Sequence, residues 1–292
     1  MTKQVVTFAK YEPAIALASL FRPVCRGKRP VLNVDYRFDG LRLRFVCHES
    51  PDVRDQSILL AAIGLAGLDS LPLDQSAAGS IGRQLWLDLE PTEQAIFDTA
   101  TVVTCSYYQL LEAAGMDSAS KRSYDQLKEI LWRLSMIGCR AYKDGYDWSM
   151  KVLSYAARPD GRISIAMNSR FAAALAGQHV RISLEERRLL GGKQKGSEVA
   201  ELLHCYLTAS LRDGHNQRVY VDTLATKIYG NESKNPNTVR DRRSMMVAAL
   251  RLIEGLKGWT VHFVGSGAST MVEIKRGQVI EQKTASPPAF VE

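Results

Sequence analysis

Residues 235–257 read NPNTVRDRRSMMVAALRLIEGLK, a stretch that predicts one long helix with an apolar side and a basic side. Asn235 and Pro236 form a helix-entry pair, because asparagine caps a first turn and proline suits the first helical position. Gly255 is the predicted end of the helix. Apolar residues recur at the spacing that buries one helix side, and they are Val239, Met246, Ala249, Leu250, Ile253 and Leu256.

Shorter elements surround this helix in the order of a winged helix, which is a helix-turn-helix followed by a β-hairpin. Periodicity and turn residues predict a helix at 197–211, a strand at 218–221, a brief helix ending at 229, and a hairpin formed by 259–264 and 270–275. The hairpin would be the wing of this module.

A similar order occurs upstream. Helices are predicted at 55–66, 106–114 and 120–137, a strand at 84–90, and hairpins at 31–47 and 139–155. Asp39-Gly40 provides the positive φ angles of a two-residue turn in the first hairpin. We therefore predict an α+β chain of tandem winged-helix domains with β-hairpin wings. The N-terminal domain, with its added β-hairpin, would span 1–168, the C-terminal domain 169–276, and a flexible tail 277–292.

Length and composition fit a protein of two globular domains. The chain has 292 residues, of which 46% are hydrophobic and 24% are charged, close to the averages for globular proteins. No uncharged apolar run approaches the ~20 residues of a membrane span, and the first residues do not resemble a signal peptide. We expect a cytoplasmic protein without a membrane partner.

Signatures of catalysis and of metal binding are missing from the sequence. The lysine-rich stretch GGKQKGS at 191–197 has the wrong spacing for a phosphate-binding P-loop. The 5 cysteines are scattered without a C-x-x-C spacing, which fits reduced thiols packed as small hydrophobic side chains. We expect no catalytic residue, no metal and no cofactor, and an enzyme is the minority interpretation.

Positive charge accompanies the long helix. The whole chain has a formal charge of +7, which favours polyanionic partners. Arginine can contact guanine, and asparagine adenine, in the major groove of DNA. The base-reading candidates are Asn237, Arg240 and Arg243. The phosphate-contacting candidates are Lys234, Thr238 and Arg242. Arg242 falls on the apolar side of the helix, and a solvated basic surface is the competing interpretation of the whole set.

The upstream helix at 120–137 carries a weaker basic surface. Its cations away from the apolar stripe are Lys121, Arg122, Lys128 and Arg133. Asp125 and Glu129 share that surface, so we expect weaker DNA binding there, or a surface divided between DNA and a protein partner.

Several stretches together resemble a known family. They are LFR at 20–22, GRQL at 82–85, LEP at 89–91, QHVRIS at 178–183, TVRDRR at 238–243 and GWTV at 258–261. Their order and spacing resemble the RepC replication initiator of IncQ-type broad-host-range plasmids from about residue 20 to residue 276. The chain departs from that pattern by extra residues around 191–196.

The resemblance implies an initiator without catalytic activity that binds directly repeated double-stranded DNA sites (iterons) at an origin. Such a protein promotes opening of an adjacent A+T-rich segment and admits a plasmid-encoded helicase and primase; the resemblance also leaves a homodimer open. Independently, two unlike modules in one chain would read an asymmetric site, which suits direct repeats. The alternatives are a transcriptional repressor with tandem winged helices and, from another class, a nuclease or primase accessory enzyme.

Overall fold

Apolar periodicity and turn residues divide the chain into short strands and helices of moderate length. The computed structural model describes residues 6–24, 29–77 and 79–277. The helices are α1 (Pro13–Leu17), α2 (Val53–Ala66), α3 (Ser80–Asp88), α4 (Tyr107–Ala113), α5 (Lys121–Ser135), α6 (Ser169–Ala176), α7 (Leu184–Leu190), α8 (Ser197–Ser210), α9 (Val221–Tyr229) and α10 (Pro236–Glu254). The strands are β1 (Phe8–Tyr11), β2 (Leu32–Phe38), β3 (Leu41–Cys47), β4 (Leu71–Leu73), β5 (Thr92–Glu93), β6 (Ala100–Ser106), β7 (Ile137–Lys143), β8 (Tyr146–Lys151), β9 (Leu153–Ala157), β10 (Arg162–Met167), β11 (Val180–Ser183), β12 (Asn216–Tyr220), β13 (Trp259–Val264) and β14 (Met271–Arg276).

The strands form antiparallel sheets. Over the described ranges their orders are β1-β11, β4-β6-β10-β9, β2-β3-β7-β8-β5 and β12-β14-β13. The predicted hairpin at 31–47 is confirmed, because β2 and β3 pair from Leu32 opposite Cys47 to Phe38 opposite Leu41. Asp39 and Gly40 have φ angles of 48° and 75°, as a tight two-residue turn requires.

The C-terminal helices pack around the apolar side of α10. The predicted helix is confirmed, and it begins where the Asn235 side chain accepts from the backbone N–H of Asn237 at 2.9 Å. Met246, Ala249 and the other apolar residues that face α8 and α9 are buried. The antiparallel β12-β14-β13 sheet completes the module, with β12 between α8 and α9 in the chain and β13-β14 after α10.

The upstream helices form a second group. α2 packs against α4 and α5, and the apolar stripe of α5 is buried at Leu127, Ile130, Leu131 and Leu134. The β7-β8 hairpin follows α5, but it pairs with β3 on one side and with β5 on the other. The strand that precedes α4, β6, belongs to a different sheet.

One predicted strand is wrong. Residues 84–90 were expected to alternate as Leu85, Leu87 and Leu89, whereas α3 covers most of this stretch. Leu85 and Leu89 are four residues apart, so they share one helix side and are buried, while Leu87 is 61% exposed. Three alternating leucines fit either period, and packing of α3 against β9 decides for the helix.

The second arm of the predicted hairpin at 139–155 is also different. It divides into β8 and β9, which belong to two different sheets. Val152 lies between them and is buried, and its N–H donates to the carbonyl of Ile137 at 2.9 Å. The strand therefore changes sheets at this residue.

The apolar core continues across the predicted division at 168 and 169, which stays a prediction. β1 pairs with β11 across that division, with Tyr11 opposite Val180. Arg187 of α7 is buried and donates to Ser57 Oγ of α2 at 3.0 Å and to the carbonyl of Glu201 of α8 at 2.6 Å. Residues 278–292, nearly all of the predicted tail, lie outside the described residues.

Candidate nucleic-acid interface

The outer face of α10 begins in the first turns of the helix. We define it by Asn237, Arg240 and Ser244, which are all exposed. Their spacing places them on one side of the helix. Arg240 Nη2 lies 3.4 Å from Asn237 Oδ1, so two groups able to hydrogen-bond base edges lie side by side. Lys234, just before the helix, is exposed as well, and Thr238 is half-buried.

Arg242 points away from this outer face and holds the turn between α9 and α10. Its Nη1 donates to the carbonyl of Asn231 at 2.9 Å and its Nη2 to Asn231 Oδ1 at 3.2 Å. The guanidinium carbon lies 4.5 Å from the ring centroid of Tyr229, a cation–π distance. This explains how an arginine occupies the apolar side of the helix.

Arg243 ties α10 to α9. Its Nε donates to Asp222 Oδ1 at 2.8 Å, and Nη2 bonds the other carboxylate oxygen. These bonds raise the pKa of Arg243 above its ordinary value. The side chain of Arg243 is 20% exposed. An arginine held by both oxygens of a carboxylate has fewer donors left for a base.

Two basic residues at the start of α5, Lys121 and Arg122, line an open groove. Lys121, Arg122 and Lys128 are exposed, and Lys128 Nζ lies 4.0 Å from Asp125 Oδ1. The groove beside the helix has a volume of about 610 Å³, and both signs of charge line it, including Arg29, Arg54, Asp52 and Glu129. A surface of mixed charge attracts phosphate less strongly than one of single sign.

Arg133 lines the same groove as Lys121 and Arg122, but its guanidinium is held in an interior ion pair. Its Nη2 is 2.9 Å from Asp55 Oδ1 in α2, and the two side chains are 12% and 0% exposed. We therefore do not expect Arg133 to contact DNA, because its guanidinium is already paired with a buried carboxylate. Sequence reasoning missed the pair because Asp55 lies 78 residues upstream, and an acidic residue in the first turn of a helix is ordinary.

The sequence pattern did not reveal two residues that bind the arginines of α10, namely Asp222 and Asn231. Asp222, in the first turn of α9, accepts from Arg243, and Asn231, in the turn between α9 and α10, accepts from Arg242. An acidic residue in the first turn of α9 was visible, but helix capping accounted for it equally well.

The family model for Replication protein C (RepC) matches residues 3–277 of this chain. The chain belongs to the RepC family. This membership confirms the resemblance indicated by the sequence stretches, and the stretch TVRDRR at 238–243 within it is the first two turns of α10. RepC membership makes this a protein of DNA replication, and the outer face of α10 is its candidate DNA contact.

Two solved structures were found to be similar to this RepC protein. A selenomethionine derivative of domains 2 and 3 of RctB has a TM-score of 0.52 and 12% sequence identity, covering 92% of this chain and 99% of that one. A second structure, of RctB domains 2-3, has a TM-score of 0.49 and 10% identity, covering 91% and 96%. At this identity the first likeness concerns the fold alone. No curated protein matches the chain.

Two tests for other kinds of site give negative results in the described ranges. None of the helices there is both long enough and apolar enough to cross a membrane. No group of three or more His, Cys, Asp or Glu side chains is placed there to hold a metal ion.

Proposed function

We propose that this RepC protein initiates plasmid replication by binding directly repeated double-stranded DNA sites (iterons) at an origin. The observation that supports this most strongly is the division of polar residues on α10. Asn237 and Arg240 project freely from its first turns, whereas Arg242 and Arg243 are held by the protein and position the helix. A recognition helix reads the major groove with its N-terminal residues.

The C-terminal module is proposed to be a winged helix. The order α8, β12, α9, α10, β13, β14 matches helix, strand, helix, recognition helix and wing, and β12 pairs with β14 as the strands of one sheet. The upstream group has the same helix order in α2, α4 and α5. Its hairpin joins a larger sheet, so the likeness there rests on the helices.

Each predicted contact then has a chemical role. Arg240 is proposed to bind guanine and Asn237 adenine, each worth about 1–3 kcal/mol of discrimination against a wrong base. Lys234 and Thr238 are proposed to contact phosphates, which position the protein without reading sequence. On α5 the phosphate contacts would be Lys121, Arg122 and Lys128, and we leave Arg133, Arg242 and Arg243 out of the contact set.

Two unlike reading modules in one chain favour an asymmetric site. Two helices that enter successive major grooves on one face of DNA lie about 10 bp apart, and an asymmetric site is naturally repeated head to tail. We propose that an adjacent A+T-rich segment then opens and that a helicase and a primase enter there. We also propose that a homodimer of the protein is inactive and restrains initiation.

Footprinting on the DNA that neighbours this gene tests the proposal. We expect protection of an array of direct repeats. Arg240→Ala and Asn237→Ala should weaken binding to that array far more than binding to unrelated DNA. A single palindromic footprint would favour a transcriptional repressor instead. If the protein cleaved supercoiled DNA or synthesised primers in the presence of a divalent metal, it would be an enzyme and the proposed function would be wrong.

A further inference from the structure

The loop at 191–196, which joins α7 to α8, lies against the outer face of α10. The ammonium of Lys195 donates to Ser244 Oγ at 2.9 Å. Ser244 is four residues after Arg240, about 6 Å further along the helix axis. The loop therefore ends beside the residues proposed to read bases, although Lys195 and Ser244 are 49 residues apart in the chain.

Gly196 fixes the loop in this place. Its φ is +87°, and a Cβ there would lie 2.9 Å from the backbone nitrogen of Ala249 and 3.0 Å from Ala248 Cβ. Only glycine combines this backbone conformation with so close an approach. Ala248 is one helical turn after Ser244, so the loop covers the continuation of the outer face of α10.

The loop brings positive charge that the protein itself does not neutralise. Lys193 and Lys195 are both exposed, and neither forms an ion pair within the described part of the chain. Ser244 is a neutral partner, and an ammonium that donates one hydrogen bond to it keeps two further donors.

We propose that the loop at 191–196 is a phosphate-binding element of the DNA interface, in which Lys193 and Lys195 contact the backbone beside the groove that α10 enters. This inference rests on the proposed function. The spacing is suitable, since the major groove is about 12 Å wide and phosphates border it on both sides. Lysine acts on phosphate as a point charge, so these contacts add affinity without sequence preference.

The salt dependence of binding tests the inference with the full chain. The probes are the duplex identified by footprinting and a duplex of equal length and shuffled sequence. In the double variant Lys193→Ala/Lys195→Ala, the slope of log affinity against log salt should fall by about 2, because each neutralised phosphate adds about 0.9. Affinity should fall by the same factor for both duplexes. A Lys193→Arg/Lys195→Arg variant should keep the original slope.

Lys257→Ala is the matched control. This lysine is also exposed, but it lies beyond the C-terminal end of α10, which is about 15 Å along the helix axis from Ser244, and its removal should leave the slope unchanged. An unchanged slope in the double alanine variant would overturn the loop assignment. The proposed function would still stand if Arg240→Ala lost affinity for the footprinted duplex alone. Equal losses by Arg240→Ala on both duplexes would overturn base reading by α10, and with it this inference.

Discussion

The guanidinium of Arg133 donates to both carboxylate oxygens of Asp55, with Nη2 2.9 Å from Oδ1 and Nε 3.3 Å from Oδ2. Asp55 also accepts from the backbone N–H of Asp52 at 2.7 Å, so the same carboxylate caps α2 and holds α5. The most interior basic residue of α5 therefore connects two helices.

Arg133→Ala should lower the free energy of unfolding by about 3 kcal/mol, because it leaves the buried carboxylate of Asp55 short of its main cation. Urea unfolding measures this. Lys128→Ala on the exposed side of the same helix is the control and should change stability by less than about 0.5 kcal/mol. If Arg133→Ala kept full stability but bound DNA more weakly, Arg133 would be a DNA contact after all.

The pair of Arg243 with Asp222 should stabilise the junction of α9 and α10 rather than read DNA. Arg243→Ala and Asp222→Asn are each expected to cost about 0.5–1 kcal/mol, since the pair is partly exposed and solvent screens it. The double variant should cost little more than either single one. Arg243→Ala should keep the ratio of specific to nonspecific affinity; a large loss of that ratio would identify Arg243 as a base-reading residue.

His204 should make the protein less stable in mild acid. Its Nε2 lies 2.6 Å from Glu186 Oε2, and burial lowers the pKa of His204 below its ordinary value, although the hydrogen bond to the Glu186 carboxylate opposes the shift. The unfolded chain then takes up a proton that the folded protein resists, so the free energy of unfolding should fall as the pH drops below about 6.5. Urea titrations across this pH range measure the effect, and His204→Gln should reduce the slope. A slope that His204→Gln leaves unchanged would assign the acid sensitivity to other groups.

Buried cysteines should resist thiol reagents. Burial raises the pKa of Cys47 and of Cys139 to about 12, and that of Cys105 and of Cys205 to about 11. The reactive thiolate is therefore scarce at pH 8. In a Cys25→Ser background, Ellman's reagent should label these four thiols only after denaturant is added. Rapid labelling of the native protein would show that the core opens locally.

The continuous core predicts that the two halves unfold together. Trp148 and Trp259 are both buried, one in each half, so variants that keep only one of the 4 tryptophans of the chain, either Trp148 or Trp259, report on each half by fluorescence. With β1 paired to β11, the two urea midpoints should coincide. Two well separated midpoints would instead support independent domains divided near residue 168.

Much of the local structure was predictable. The cap and proline at Asn235-Pro236 and the apolar spacing after them predict α10 because they depend on residues within one or two turns. The hairpin at Asp39-Gly40 was predictable for the same reason. Residues 84–90 were not, because three alternating leucines fit a strand and a helix equally well and only burial of Leu85 and Leu89 separates the two.

The candidate site, like the fold, was predictable from the sequence only in part. Sequence alone was sufficient for the long helix α10, its cationic residues and membership of the RepC family, since these depend on nearby residues and on motif order. The tertiary structure, in contrast, decides which of these cations are free to contact DNA. Arg133 meets Asp55, Arg243 meets Asp222, and Lys195 reaches Ser244 only when segments 78, 21 and 49 residues apart are brought together. A charge is available to DNA only where folding places no opposite charge against it, and periodicity contains no information about contacts at that separation.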